Sequence, residues 1–233
     1  MYSVRILDAA IRDLERLDRP VGRRIVADRR PSPTQRRRWV LEMARRRARP
    51  GTGSLPERLR SGPMTQWPDL RPVLEGIPWA VVGAVATRLY MPERATRDLD
   101  ILIRREDEQT VRNRLETAGY RYGVSLAVPG FTVCSPDGVA IDVLLGDAPW
   151  VEEALAAPRV DPTGLPVLDL PYLVLMKLEA SRLQDIADLA RMLGLASESE
   201  RERVRAAVAR YVPDALEDLE SLIYLGMLEM GTE

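Results

Sequence analysis

Three aspartates stand inside apolar runs of strand length, and their placement limits what this chain can fold into. The first run is Asp98-Leu99-Asp100-Ile101-Leu102-Ile103, and the second is Val139-Ala140-Ile141-Asp142-Val143-Leu144-Leu145. Successive side chains of a strand point to opposite faces. Asp98 and Asp100 therefore share one face while Leu99, Ile101 and Ile103 form the other, and Asp142 opposes Ile141, Val143 and Leu145 in the same way. A carboxylate in such a run is expensive to bury unpaired. The fold has to give these strands one apolar face against a core and one face where charge is tolerated.

The segments around them complete an α/β pattern. Trp79-Ala80-Val81-Val82 reads as a strand that runs into Gly83 and a short helix through Leu89 and Tyr90, after a helix over residues 69–75. A helix is expected over residues 107–118, stopped by Gly119, then strands near Tyr120 and over residues 131–134, with Asp137-Gly138 as a hairpin turn signal. From Pro171 onward the pattern is helical, with a break at Gly194 and a last helix starting at Pro213. Strands mixed with helices and followed by helices alone predict an α/β (α+β) fold, a mixed sheet flanked by helices with a helical C-terminal region.

Composition narrows the chemistry. The 233 residues include no His and a single Cys, Cys134, which removes imidazole bases, Ser-His-Asp triads, internal disulfides and cysteine zinc clusters. Of the 34 basic residues only Lys177 is a lysine. Charge is split along the chain: residues 1–62 carry 17 Arg against 7 acids, and residues 63–233 carry 17 basic against 28 acidic side chains. The charge split predicts a basic, partly disordered arm and linker over residues 1–62, and the element pattern predicts an α/β domain over 63–169 and a helical region over 170–233. No apolar run approaches the roughly 18 residues that span a bilayer, so a cytoplasmic protein without a membrane partner is expected.

Two carboxylates side by side repel unless a cation sits between them or one is protonated. If the strands of Asp98, Asp100 and Asp142 are neighbours, three hard oxygen donors converge, a set suited to Mg²⁺ or Mn²⁺. The turn at Gly83-Ala84 exposes backbone N–H groups that attract phosphate. An anion site beside a carboxylate metal site equips a protein for phosphoryl or nucleotidyl transfer. Further along, Lys177 lies in the apolar run Leu173-Val174-Leu175-Met176-Lys177-Leu178, and on one continuous helix Ser181, Gln184, Asp185 and Asp188 would share its stripe.

These residues carry a family resemblance. The glycine turn after an apolar strand, Asp-Leu-Asp, and a later apolar strand with a third Asp resemble the DNA polymerase β-like nucleotidyltransferase superfamily. The stretch Val82-Gly83-Ala84 through Arg94-Ala95-Thr96-Arg97-Asp98-Leu99-Asp100-Ile101 looks most like its AbiEii/MenT-type toxin and minimal nucleotidyltransferase branch. The resemblance implies that Asp98, Asp100 and Asp142 are catalytic and hold metal, and that Arg94 and Thr96 face the phosphates. Lys177-Leu178-Glu179-Ala180-Ser181-Arg182, followed by Asp185 and Asp188, resembles that branch's Lys...Arg-x-x-Asp-x-x-Asp helix, whose Lys approaches the nucleotide. The implied reaction moves an NMP from an NTP to a hydroxyl of tRNA or protein, in a toxin-antitoxin component with a cognate toxin or antitoxin partner.

The chain departs from the family at Ala84, where Gly or Ser is usual, and at Gln184, where a basic residue is common. Ala84 keeps its backbone N–H and loses a hydroxyl contact to phosphate, which admits a second reading: a nucleotidyltransferase-like binding module acting as antitoxin or regulator. Residues 1–28 resemble the strand and helical pair that open the RelE/ParE toxins. The Pro31-Ser32-Pro33 and Arg runs that follow replace the family's sheet, so no ribonuclease activity is expected.

Overall fold

The computed structural model describes residues 32–47, 67–91 and 98–232. The RelE-like opening, the linker over residues 50–63, Arg94 and Thr96 lie outside the described residues.

Helix α1 (Pro33–Arg47) comes first, followed by strand β1 (Trp79–Val82) and the five-residue helix α2 (Gly83–Thr87). Strand β2 (Asp98–Arg104) leads through a 3-10 turn into helix α3 (Glu108–Thr117). Then come strands β3 (Arg121–Ser125), β4 (Gly130–Cys134) and β5 (Ala140–Gly146), helix α4 (Val151–Ala156), and the short strands β6 (Arg159–Val160) and β7 (Pro166–Val167). Helices α5 (Leu170–Ala180), α6 (Leu183–Leu195), α7 (Glu198–Tyr211) and α8 (Leu216–Met230) close the chain. Among the described residues no helix is long and apolar enough to cross a membrane.

The strands form one mixed seven-stranded sheet, in the order β3-β4-β5-β2-β1-β7-β6. Its centre is the parallel pair β2 and β5, flanked by antiparallel β1 and β4. The expected alternation sets the register. Leu99, Ile101, Ile103, Ile141 and Val143 are fully buried on one face, and a slip of one residue would turn that whole apolar row outward. The α/β class, the strands at Trp79, Asp98 and Ala140, and the change to helices at residue 170 all agree with the sequence expectation.

Four expectations change. Residues 69–75 form turns: Asp69 accepts from the Arg71 backbone N–H at 3.0 Å, and Leu74 donates to the Leu70 carbonyl without further helical bonds. Pro68 and Pro72 limit the backbone donors available there. The helix after Gly83 ends at Thr87, and Leu89 and Tyr90 sit in a turn. A further break falls at Ser181 and Arg182 inside the expected continuous helix, while the break expected at Gly194 is present one residue on, α6 ending at Leu195. Finally, part of the basic segment is docked: α1 packs on the C-terminal helices through Leu41, and its Arg37 is buried.

Gly194 is present for packing. Helices α6 and α8 cross so closely that a Cβ on Gly226 would stand 1.9 Å from the Ala190 carbonyl oxygen, and one on Gly194 would stand 2.4 Å from Gly226 backbone atoms. Backbone cannot yield as a side chain can. Gly226→Ala is expected to lower unfolding free energy by about 3 kcal/mol, measured as a lower urea midpoint with unchanged slope.

Candidate active site

Register places the acids of β2 and β5 together. Asp100 lies opposite Asp142 in the parallel β2/β5 pair, and Asp98 opposite Ala140. Because alternate residues share a face, Asp98, Asp100 and Leu102 of β2 line one cleft with Asp142 and Leu144 of β5. Thr132, one strand further, donates its hydroxyl to Asp142 Oδ1 at 2.6 Å, which fixes that carboxylate's rotamer.

Gly83 closes the other side of Asp100. Its φ is +63°, and a Cβ built there would fall 1.8 Å from Asp100 Oδ2. Glycine is required on both counts: a left-handed backbone and no volume where the carboxylate stands. Val82 pairs with Asp100 across β1 and β2, which is why the turn meets this Asp. Ala84 follows at the start of α2, and both residues line the cleft.

The cleft has a volume of about 860 Å³ and continues from the acids into an apolar part walled by Leu126, Val128, Trp150 and Met176. That is the size of a site for one or two small molecules. The indole N–H of Trp150 donates to Glu179 at 3.4 Å, and burial shifts the Glu179 carboxyl upward.

Lys177 reaches the cleft from α5. Its Nζ donates to Asp185 Oδ1 at 3.0 Å and to Asp188 Oδ2 at 2.9 Å, all three groups being buried. The anticipated single stripe is thus an ion cluster between two helices, made possible because α5 and α6 fold back at Ser181. Arg182 holds Asp185 Oδ2 at 2.6 Å and lines the cleft, while Gln184 donates to Asp188 Oδ1 at 3.0 Å. Burial works against the Asp185 anion, but Arg182 and Lys177 outweigh it and keep its carboxyl below the usual range. Asp185 and Asp188 therefore stand behind Lys177 and do not line the cleft themselves.

Asp100 is perturbed the other way. Burial, then repulsion from Asp98 and Asp142, pushes its pKa up to about 7, against partial relief from Arg182 and Lys177. The donor chemistry fits a hard divalent cation: oxygen ligands on adjacent strands, under mutual repulsion that a cation would relieve. Among the described residues no group of three or more His, Cys, Asp or Glu side chains is arranged to hold a metal ion without other ligands. Magnesium commonly uses one or two carboxylates plus substrate phosphates, so an open set of this kind is compatible with it.

Of the sequence candidates, the fold brings together Gly83, Ala84, Asp98, Asp100, Asp142 and Lys177 around one cleft. Sequence reasoning missed Thr132, Trp150 and Arg182 as site residues. Arg182 was visible within the Lys-to-Asp motif, whereas Thr132 becomes relevant only through the β4/β5 register that sets it against Asp142.

Two substitutions are expected to act in opposite directions on stability. A raised native pKa means that the folded protein holds a proton which the unfolded chain has released, so between about pH 4 and 7 rising pH removes stability. The penalty is absent below that window and complete above it. Asp100→Asn should raise the melting temperature at pH 8 without divalent cations and flatten the pH dependence, with no gain at pH 4. Lys177→Met removes the buried ammonium that Asp185 and Asp188 share, with Arg182 still on Asp185, and should cost about 3 kcal/mol. Thermal and urea unfolding of both variants across that pH range checks the signs.

No family model and no curated protein matches the chain. Among solved structures, the antibiotic-resistance factor ANT(2'')-Ia is 18% identical, with 67% of this chain and 85% of that chain covered and a TM-score of 0.36. Lincosamide antibiotic adenylyltransferase LnuA, lincomycin-bound, is 12% identical over 60% of this chain and 90% of that chain, with a TM-score of 0.33. Terminal uridylyl transferase 4 from Trypanosoma brucei, with bound GTP, is 12% identical over 85% and 70%, with a TM-score of 0.27. Likenesses this slight assign neither residues nor activity to this chain.

Proposed function

We propose that this chain is a metal-dependent nucleotidyltransferase of the DNA polymerase β-like kind, which transfers an NMP from an NTP to an acceptor hydroxyl. The carrying observation is Asp100: packed against Gly83, opposite Asp142 in register, and raised to a pKa of about 7 by burial and its acidic neighbours. Such strain on a carboxylate is what a divalent cation would relieve.

In this function Asp98, Asp100 and Asp142 hold Mg²⁺ or Mn²⁺, which when bound neutralises phosphate charge and favours the ionised acceptor. The Gly83-Ala84 turn presents backbone N–H groups to phosphate. Lys177 and Arg182 add positive charge along the same wall of the cleft. The acceptor oxygen bonds to the α-phosphorus as the bond to the β-phosphate oxygen breaks; pyrophosphate leaves, and Asp142 takes the acceptor proton. The acceptor is a tRNA end or a protein side chain, and the chain acts as a toxin-antitoxin component, as the AbiEii/MenT resemblance implies.

Incubating the protein with Mg²⁺, each α-labelled NTP, tRNA and lysate protein is expected to transfer label to one acceptor class, and Asp98→Ala with Asp100→Ala should abolish it. Absence of transfer in every combination would sink the enzymatic reading. Lys177→Arg is expected to weaken nucleotide binding, because the longer planar guanidinium does not fit between Asp185 and Asp188 as an ammonium does. A second reading is favoured by Ala84, which lacks the usual hydroxyl contact: a module that binds nucleotide without turnover and serves as an antitoxin or regulator. Calorimetric binding of magnesium nucleotide without any modification of acceptor would select it.

A further inference from the structure

The basic helix α1 reaches the back of the site through one side chain. Arg37 is 2% exposed, although it belongs to an arginine run that sequence alone places on a solvated surface. Its Nε donates to Asp218 Oδ2 on α8 at 3.0 Å, with Asp214 at 3.9 Å. Its Nη1 donates to the Leu178 carbonyl at 2.7 Å and to Ser181 Oγ at 3.1 Å. Ser181 in turn donates its hydroxyl to the same Leu178 carbonyl.

These contacts fall on the turn that separates α5 from α6. Leu178 is in the last turn of α5, where carbonyls lose their helical partners. Ser181 has φ +49°, the one non-glycine residue with positive φ among the described residues. A left-handed conformation of this kind persists only where its surroundings enforce it. Arg37 and the Ser181 hydroxyl supply that enforcement: one guanidinium ties the end of α5, the turn and α8 together.

Lys177 and Arg182, the cations that line the cleft among the described residues, flank this turn. Ser181 N–H donates to the Lys177 carbonyl at 2.9 Å, and the next residue is Arg182, whose guanidinium grips Asp185. We propose that Arg37 is a positioning residue for this site, clamping the Ser181 turn so that Lys177 and Arg182 stand over the three carboxylates. The proposal rests on the nucleotidyltransferase reading, and it makes part of the Arg-rich segment a component of the catalytic body. Neither the Lys177 cluster nor the cleft touches Arg37 directly, so its effect is transmitted through the turn.

The test uses the full chain, and binding of Mg²⁺-ATP, GTP, CTP and UTP is measured by calorimetry. Arg37→Lys keeps a charge for Asp218 but lacks the fork that spans Asp218 and the turn together. It is expected to stay folded, to weaken the best nucleotide about tenfold, and to accelerate amide exchange over residues 179–185 while leaving α7 unchanged. Val204→Ala, buried on α7 and making none of the Arg37 hydrogen bonds, provides a loss of stability that leaves the clamp intact and should leave affinity within about twofold. Arg37→Lys combined with Arg182→Gln should lose less than the sum of the two single losses, because part of the Arg37 effect passes through Arg182 and the rest through Lys177. Full affinity in Arg37→Lys, strictly additive losses, or an equal affinity loss in Val204→Ala overturns the positioning role and leaves the nucleotide site standing. A wild-type protein that binds none of the four nucleotides with Mg²⁺ overturns the nucleotide site and the positioning role with it.

Discussion

Asp100 and Asp142 are held side by side, like charge against like charge, by the apolar packing on the opposite face of their strands. Register in a parallel pair is indivisible: to separate these carboxylates by one residue, the sheet would have to turn either Leu99, Ile101 and Ile103 or Ile141 and Val143 out of the core. Burying several such side chains stabilises by about 1.5–3 kcal/mol each, which exceeds the repulsion between the acids. Core packing therefore holds the site in a state that electrostatics alone would disperse. Gly83 adds a steric wall, since no side chain fits between the turn and Asp100.

The helical region answers that concentration of negative charge with two cations, each fixed by acids of its own. Lys177 is buried between Asp185 and Asp188, and Arg182 grips Asp185 from the exposed side. A lysine in that cage keeps its ammonium in one place without a mobile stem, at the expense of making α5 and α6 depend on each other. The close crossing of α6 and α8 at Gly194 and Gly226 and the Arg37 contacts from α1 then fix where α6 begins. A chain of packed elements thus connects the basic segment to the carboxylates.

How much of this was legible in the sequence depended on the range of the interaction concerned. Asp98, Asp100 and Asp142 stood out because strand alternation is a property of neighbouring residues. The strand-turn-helix at Gly83 was legible for the same reason. The contact between Gly83 and Asp100 was not, because it arises from β1/β2 pairing across a segment of chain. Thr132 became relevant only through the β4/β5 register. The helical stripe failed instructively: periodicity through Ser181 is unbroken by Gly or Pro, so the chain reads as one helix, while a guanidinium 144 residues away holds the break. Gly194 reads as a helix end and does stand one residue before the end of α6, while its second role, as a crossing point between helices, has no local signal.

By itself the sequence determined the α/β class, the two acid-bearing strands, the absence of imidazole chemistry and of internal disulfides, and the singularity of Lys177, all of which follow from residue identity and local period. Tertiary structure alone decided that the acids share one cleft, that Lys177 is caged between two helices, and that Arg37 lies inside the protein. The reason is physical. Alternation and helical period are set by bond geometry within a few residues, whereas the partners of a buried charge are chosen by whichever distant elements the core brings to it.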